Sequence, residues 1–273
     1  MASKTHIVYD FYMKIKIPQA LEPYRQQLLE TKTTFIKANS QAPRKTKLWE
    51  SKVGGQPSLP KGLDWPMAPD GQTLCFLAQI NFAEVPALEP FPSKGIVQFF
   101  INDDDLYGMD FDDGENPDTF RVLFHPEVIE QESLLQTKLP STDWEAELLP
   151  HHPDESYPLV FTIDEEVVPI SDYQFYQFFG SEFFRQFGEN EWDVMGQLEK
   201  SIRSQGHKIG GYAYFTQDDP RRLEDPMILL LQLDSDERMD LMWGDMGVGH
   251  FFIRKNDLAA LDFSRVLYDW DCL

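Results

Sequence analysis

The feature that most limits what this chain can fold into is a repetition. Lys52-Val53-Gly54-Gly55 returns as Lys208-Ile209-Gly210-Gly211, "FLAQIN" at 76–81 returns as "LLLQLD" at 229–234, and "GIVQFFI" at 95–101 returns as "GVGHFFI" at 247–253. The offsets (52 to 208, 76 to 229, 95 to 247) are 156, 153 and 152 residues, in the same order along the chain. Three ordered matches with so little drift mark an internal duplication. Two copies are too few for a solenoid, so the pair is expected to close about a pseudo-two-fold axis around one shared core. A concave site is expected where the halves meet.

The text around the repeats is that of strands. "TLCFLAQINF", "GIVQFFIN" and "FRVLFH" are short apolar runs with β-branched and aromatic content and turn residues at their ends. Helical signals lie elsewhere. Leu21, Tyr24, Leu28, Phe35 and Ile36 fall near one stripe and predict a helix over about 21–38. "SDYQFYQFFGSEFFRQF" carries aromatics on nearly every face and predicts a helix buried by its neighbours. "NEWDVMGQLEKSIRSQG" predicts a third, with Asn190 as N-cap, a stripe of Trp192, Met195, Leu198 and Ile202, and Gly206 as its stop. The fold class expected is therefore α+β and β-dominated: duplicated β units, an N-terminal helix and two helices between the repeats. A single domain over 1–273 is expected, with an N-terminal strand and helix in 1–45, repeat one in 46–125, a Pro-rich connection and helices in 126–206, and repeat two in 207–273.

Charge narrows the partners. The net charge is -22, yet residues 1–50 hold nine Lys or Arg against four Asp or Glu, leaving 15 basic and 42 acidic residues, or -27, beyond them. Such a field repels nucleic acid and anionic lipid and steers basic proteins inward. The N-terminal stretch is broken by Lys4, His6, Asp10, Lys14 and Lys16, and no window approaches the length of a membrane span. A cytoplasmic protein is expected, and its two cysteines, Cys75 and Cys272, are read as reduced.

Taken together, "KVGGQPSLPKGLDWP" (52–66), "LCFLAQINFAEVP" (74–86), "GIVQFFINDDDLYGMDFD" (95–112), "FRVLFHPE" (120–127), "HKIGGYAYFTQDDPR" (207–221), "LLLQLDSD" (229–236) and "MWGDMGVGHFFIRKNDL" (242–258) resemble the YwqG-like family of bacterial proteins of unknown function. The resemblance covers roughly 45–270 and implies a duplicated, β-dominated α+β fold. It brings neither a reaction nor catalytic residues.

Few residues offer chemistry. The loop "NDDDLYGMDFDDGENPD" (102–118) holds eight carboxylates and no basic residue. Calcium ligation wants closely spaced oxygens such as those of Asp110, Asp112, Asp113 and Glu115, but no frame supplies both the glycine and the final glutamate of an EF-hand. The loop reads as a solvated hairpin or a docking surface for a basic partner, with Asp103, Asp104, Asp105, Asp110, Asp112 and Asp113 as contact residues. Gln79 and Gln232 are equivalent, each inside an apolar strand, and a hydrogen bond across the pseudo-axis is the expected use. The equivalent lysines Lys52 and Lys208 read as exposed strand ends. Trp65 and Trp243 are read either as packing anchors or as pocket walls. Asp245, between glycines in "MWGDMGVGH", reads as a turn residue, or as one member of an acid/base pair with His207 or His250.

The sequence contains no H-E-x-x-H, G-x-S-x-G, C-x-x-C or Walker pattern, so no metal, cofactor or catalytic residue is assigned. Two functions follow. The first is a non-enzymatic acidic module that binds a basic protein, for instance an immunity protein masking a toxin. The second is a small-molecule binding protein or enzyme with a pocket between the repeats, using Trp65, Gln79, His207, Gln232, Trp243 and Asp245.

Overall fold

A computed structural model describes residues 16–138, 140, 144 and 148–273. The N-terminal leader reading concerns residues that lie almost wholly outside this range. Ten strands form one sheet in the order β10-β9-β8-β7-β1-β6-β2-β3-β4-β5. In chain order these are β1 (Thr33–Ser40), β2 (Lys52–Val53), β3 (Cys75–Asn81), β4 (Ile96–Ile101), β5 (Phe120–His125), β6 (Tyr157–Glu166), β7 (Lys208–Ile209), β8 (Met227–Asp234), β9 (Val248–Arg254) and β10 (Leu267–Asp271). Neighbouring strands pair antiparallel throughout the sheet.

The duplication extends beyond the matched words. Strands β2 to β5 form one wing and β7 to β10 the other, and each wing is entered from a strand at the centre of the sheet. Lys37 of β1 pairs with Lys208, and Pro158 of β6 pairs with Lys52. The leading strand of each half therefore lies against the other half, and β6 follows β1 at an offset of 121 residues (37 to 158). Asn39 pairs with Val160, its own equivalent (39 to 160), which places the pseudo-two-fold axis through that pair. On the inner face the equivalent rings of Phe99 and Phe251 (99 to 251) meet at 4.6 Å. One buried apolar cluster holds residues of both wings, among them Leu77, Phe99, Leu231 and Phe251. Even the irregularity is copied: the ladders of β3 and β8 each carry a bulge, at Leu77 and at Leu230.

The first helical prediction is corrected. A 3-10 helix (Gln19–Tyr24) runs into α1 (Arg25–Glu30), and then Thr33–Ser40 is strand. Thr33, Thr34, Phe35 and Ile36 are β-branched or aromatic, and eight pairings to β6 outweigh the helical spacing. The aromatic segment is likewise not one helix: α2 (Gln174–Phe179) stops at Gly180, whose φ is +86°, and a 3-10 segment spans Phe183–Asn190. Helix α3 (Glu191–Ser201) ends before Gly206, and the Asn190 side chain makes no cap bond. These helices share a second core with Leu21 and Leu28, and α4 (Lys255–Ala260) follows β9. Among the described residues, no helix is long and apolar enough to cross a membrane.

Candidate functional site

The duplicated polar residues are structural clamps. Gln79 donates from Nε2 to the Leu48 (2.7 Å) and Glu50 (2.8 Å) carbonyls, and its Oε1 accepts from the Ser58 amide (2.9 Å). Gln232 does the same with Ser204 (2.9 Å), Gly206 (2.8 Å) and Tyr214 (3.0 Å), each partner 156 residues on (48 to 204, 50 to 206, 58 to 214). Each amide thus ties its own half's entrance loop to its own strand. The expected bond across the axis is not made, because the backbone groups beside each buried amide already need a partner.

The lysines are not exposed ends: Lys52 is 0% and Lys208 1% exposed. Lys208 Nζ sits 2.7 Å from both Glu166 oxygens and 4.5 Å from the centre of the Phe35 ring. Lys52 has neutral partners instead, the Lys47 and Leu48 carbonyls (3.0 Å each) and Thr46 Oγ1 (3.3 Å). Burial lowers its ammonium to about 7, against the opposing pull of Glu50 and Glu84. Burial also lowers Lys208, with Glu166 opposing. Beside each lysine the second glycine has positive φ, and a Cβ on Gly211 would lie 2.2 Å from Glu166 Oε1.

The six ligand candidates do not converge. Trp65 packs edge-on against Phe100 and donates Nε1 to the Leu74 carbonyl (2.7 Å). Trp243 is fully buried beside Tyr107 and Trp270. His207 is buried, accepts the Asp234 amide at Nδ1 (3.1 Å), and points Nε2 at Asp236 (3.2 Å) rather than at Asp245. The hydrogen bond from His207, then those from Arg238 and Ser40, holds Asp236 well below the usual carboxylate range. His250 stacks on Phe252 and donates to the Tyr214 carbonyl (2.7 Å), and burial lowers it to about 3. Asp245 is exposed on its turn. Neither His207 nor His250 pairs with Asp245.

The acidic loop is different, because it is built onto the other half. Asp110 Oδ1 accepts the Asp112 (2.9 Å) and Asp113 (3.2 Å) amides, and Asn116 donates to Oδ2 (3.1 Å). The Tyr268 amide of β10 donates to the Gly114 carbonyl (2.9 Å), and a Cβ on Gly114 would lie 2.6 Å from Leu267 Cδ1. Arg254 of β9 joins the two walls, holding Glu115 through two 2.7 Å bonds and Asp225 through Nε (2.9 Å).

Between the walls lies a cleft of about 740 Å³. Asp110, Asp112, Asp113 and Glu115 line it from the loop, and Glu224, Asp225 and Asp269 from the second half, against Arg221 and Arg222. Arg221 is already committed behind the wall, 2.8 Å from Asp172 and 2.7 Å from Asp219. Of the remaining loop candidates, Asp103 is buried against Gln72, Asp104 caps the Leu106 and Gly108 amides, and Asp105 is exposed outside the cleft lining.

Residues 51–272 match the model of a family described as a domain of unknown function (DUF1963). The chain belongs to that family. No curated protein matches the chain. The DUF1963 match spans both wings and leaves out β1, although β1 supplies the central pairing of the sheet.

Within this DUF1963 domain the cleft lining holds seven carboxylates against two arginines. Asp269 is pushed up to about 7, first by burial and then by Asp271 and Asp219 nearby. A cation entering the cleft favours its ionised form. Asp271 is settled by the Thr216 (2.8 Å) and Gln217 (2.6 Å) amides. Asp269 escaped the sequence reading, yet "LYDWD" alternates, so Asp269 and Asp271 share one face of β10 and Tyr268 and Trp270 the other. Among the described residues, no group of three or more His, Cys, Asp or Glu is arranged to hold a metal ion.

Proposed function

We propose that this chain is a YwqG-like, non-enzymatic cytoplasmic module that captures a basic protein in the acidic cleft between its halves, as an immunity protein masks a basic toxin. The observation that carries this reading is the placement of the loop 102–118: pinned to β10 and bridged by Arg254, it presents Asp112 and Asp113 as fixed charges on a cleft wall. Fixed charges need little ordering on binding, and the surrounding field of a -22 chain accelerates encounter with a cationic surface. The cleft volume of about 740 Å³ also suits a small cationic molecule. That second reading now rests on Asp110, Asp113 and Asp269 rather than on the six dispersed residues.

A pull-down from the native cell at low and at high salt separates the two. A basic protein retained at low salt and released at high salt supports capture, and Asp112→Lys with Asp113→Lys is expected to abolish retention. Absence of any salt-sensitive partner moves the assignment to the small cation.

A further inference from the structure

The two ends of the sheet are closed differently. Strand β10 is covered by the first half's connection 102–119: the Tyr268 amide donates to the Gly114 carbonyl (2.9 Å), and Trp270 donates Nε1 to the Leu106 carbonyl (2.6 Å). Strand β5 is the other end, bonded only to β4. Phe99 pairs with Val122 and its equivalent Phe251 with Tyr268, so Val122 holds the place of Tyr268. The second half's connection 255–266, shorter and partly helical, stands opposite β5. Among the described residues it makes no backbone bond to that strand. A groove of about 410 Å³ remains between them, with Phe120, Val122 and Phe124 on one side and Leu261, Phe263 and Val266 on the other.

Three observations define an occupant. First, the Asn102 amide donates to the Thr119 carbonyl (2.9 Å), which fixes the phase of the ladder. Arg121, Leu123 and His125 therefore bond to β4, while Phe120, Val122 and Phe124 turn their N–H and C=O groups to the groove. These are the groups with which an added strand pairs. Second, neither bulge, proline nor lysine blunts this edge, and its arginine, Arg121, turns back to the Pro117 carbonyl (3.0 Å). Third, the rim is acidic: Asp118 before the strand, Glu127 after it and Asp262 on the opposite wall are all exposed. A second copy of the chain laid antiparallel on β5 would set Asp118 beside Glu127 across the join, like charge on like. A segment with cationic ends meets opposite charge at the same places.

We propose that β5 takes up an extended segment of another protein as an added strand, apolar at alternate positions against Phe120, Val122 and Phe124 and cationic at its ends. The groove shares no lining residue with the acidic cleft, so this holds whichever occupant the cleft takes. The probe is the capped heptapeptide Lys-Val-Thr-Val-Thr-Val-Lys, titrated into the full chain by NMR with amide exchange read residue by residue. In the free chain the Phe120, Val122 and Phe124 amides are expected to exchange fast and the Tyr268 amide slowly, and the peptide is expected to protect the first three. Methylating its three valine nitrogens is expected to weaken binding at least roughly tenfold. Asp118→Lys with Glu127→Lys, both exposed, is expected to weaken it several-fold. Glu189→Lys with Glu199→Lys, an equal change of charge on the helical insertion, is expected to leave it within about twofold. No binding of the peptide, equal binding of the methylated form, or protection confined to other amides overturns the proposal. So does self-association through β5 that the peptide fails to displace.

Discussion

The two halves share a clamp and differ in what they do with charge. Gln79 and Gln232 make the same three backbone bonds, the bulges at Leu77 and Leu230 coincide, and both entrances carry a buried lysine before two glycines of positive φ. In the first half the lysine meets neutral oxygens, whereas in the second it meets Glu166. The last strands differ in the same sense. Gln98 pairs with Leu123 in the first half, while its equivalent His250 pairs with Asp269 in the second. The backbone frame depends on amides that recur, and ionised groups have been added where one half lies against the helices or against the cleft.

The comparison breaks most visibly at Lys208. Lys208→Met strands the Glu166 carboxylate, 12% exposed, and is expected to cost about 3–5 kcal/mol by urea denaturation. A loss equal to that of Lys52→Met would mean that the two lysines are energetically alike. Next in size, Gly211→Ala forces a Cβ onto Glu166 at positive φ and is expected to cost about 2 kcal/mol or more. Gly55→Ala, which meets the Ser156 side chain instead, is expected to cost less.

Lys52→Met is expected to cost about 1–2 kcal/mol near neutral pH by leaving two carbonyls unpaired. Its pH dependence is more telling. The folded chain holds Lys52 at about 7 while the unfolded chain keeps the usual 10.5, so between those values the unfolded state binds the extra proton. Wild-type stability relative to Lys52→Met therefore rises with pH across that window, by at most about 1.4 kcal/mol per pH unit. A flat difference would mean that Lys52 stays charged.

Asp269 gives the smallest effect, of opposite sign. Its folded value of about 7 lies above the ordinary 3.8, so the folded state holds the extra proton in between, and stability falls as pH rises through that range. Asp269→Asn is expected to be more stable than wild type above pH 7 by on the order of 1 kcal/mol, whereas Leu123, its first-half equivalent, does not titrate.

The frame was legible because the duplication copies residues that make backbone bonds. "KVGG" and "KIGG", the words around Gln79 and Gln232, and "GIVQFFI" with "GVGHFFI" locate three of the five strands in each half. The leading strands were not legible: "TTFIKANS" has helical spacing, and its partner in β6 stands 119 residues or more away. Buried lysines defeat a reading by residue type, since an ammonium inside depends on oxygens brought from elsewhere in the chain. The acidic loop was visible as composition. Its role as a cleft wall arises from Gly114 meeting β10 and from Arg254 reaching Glu115, contacts that no local pattern carries.

The most direct test of capture in the cleft uses the partner retained in the low-salt pull-down, purified and titrated against wild type, Asp112→Lys with Asp113→Lys, and Asp105→Lys. The cleft account predicts that affinity falls steeply with salt in wild type, drops at least about tenfold in the double variant, and is nearly unchanged by Asp105→Lys, outside the cleft. An affinity indifferent to salt, or one lost equally at Asp105 and at Asp112 with Asp113, would contradict it.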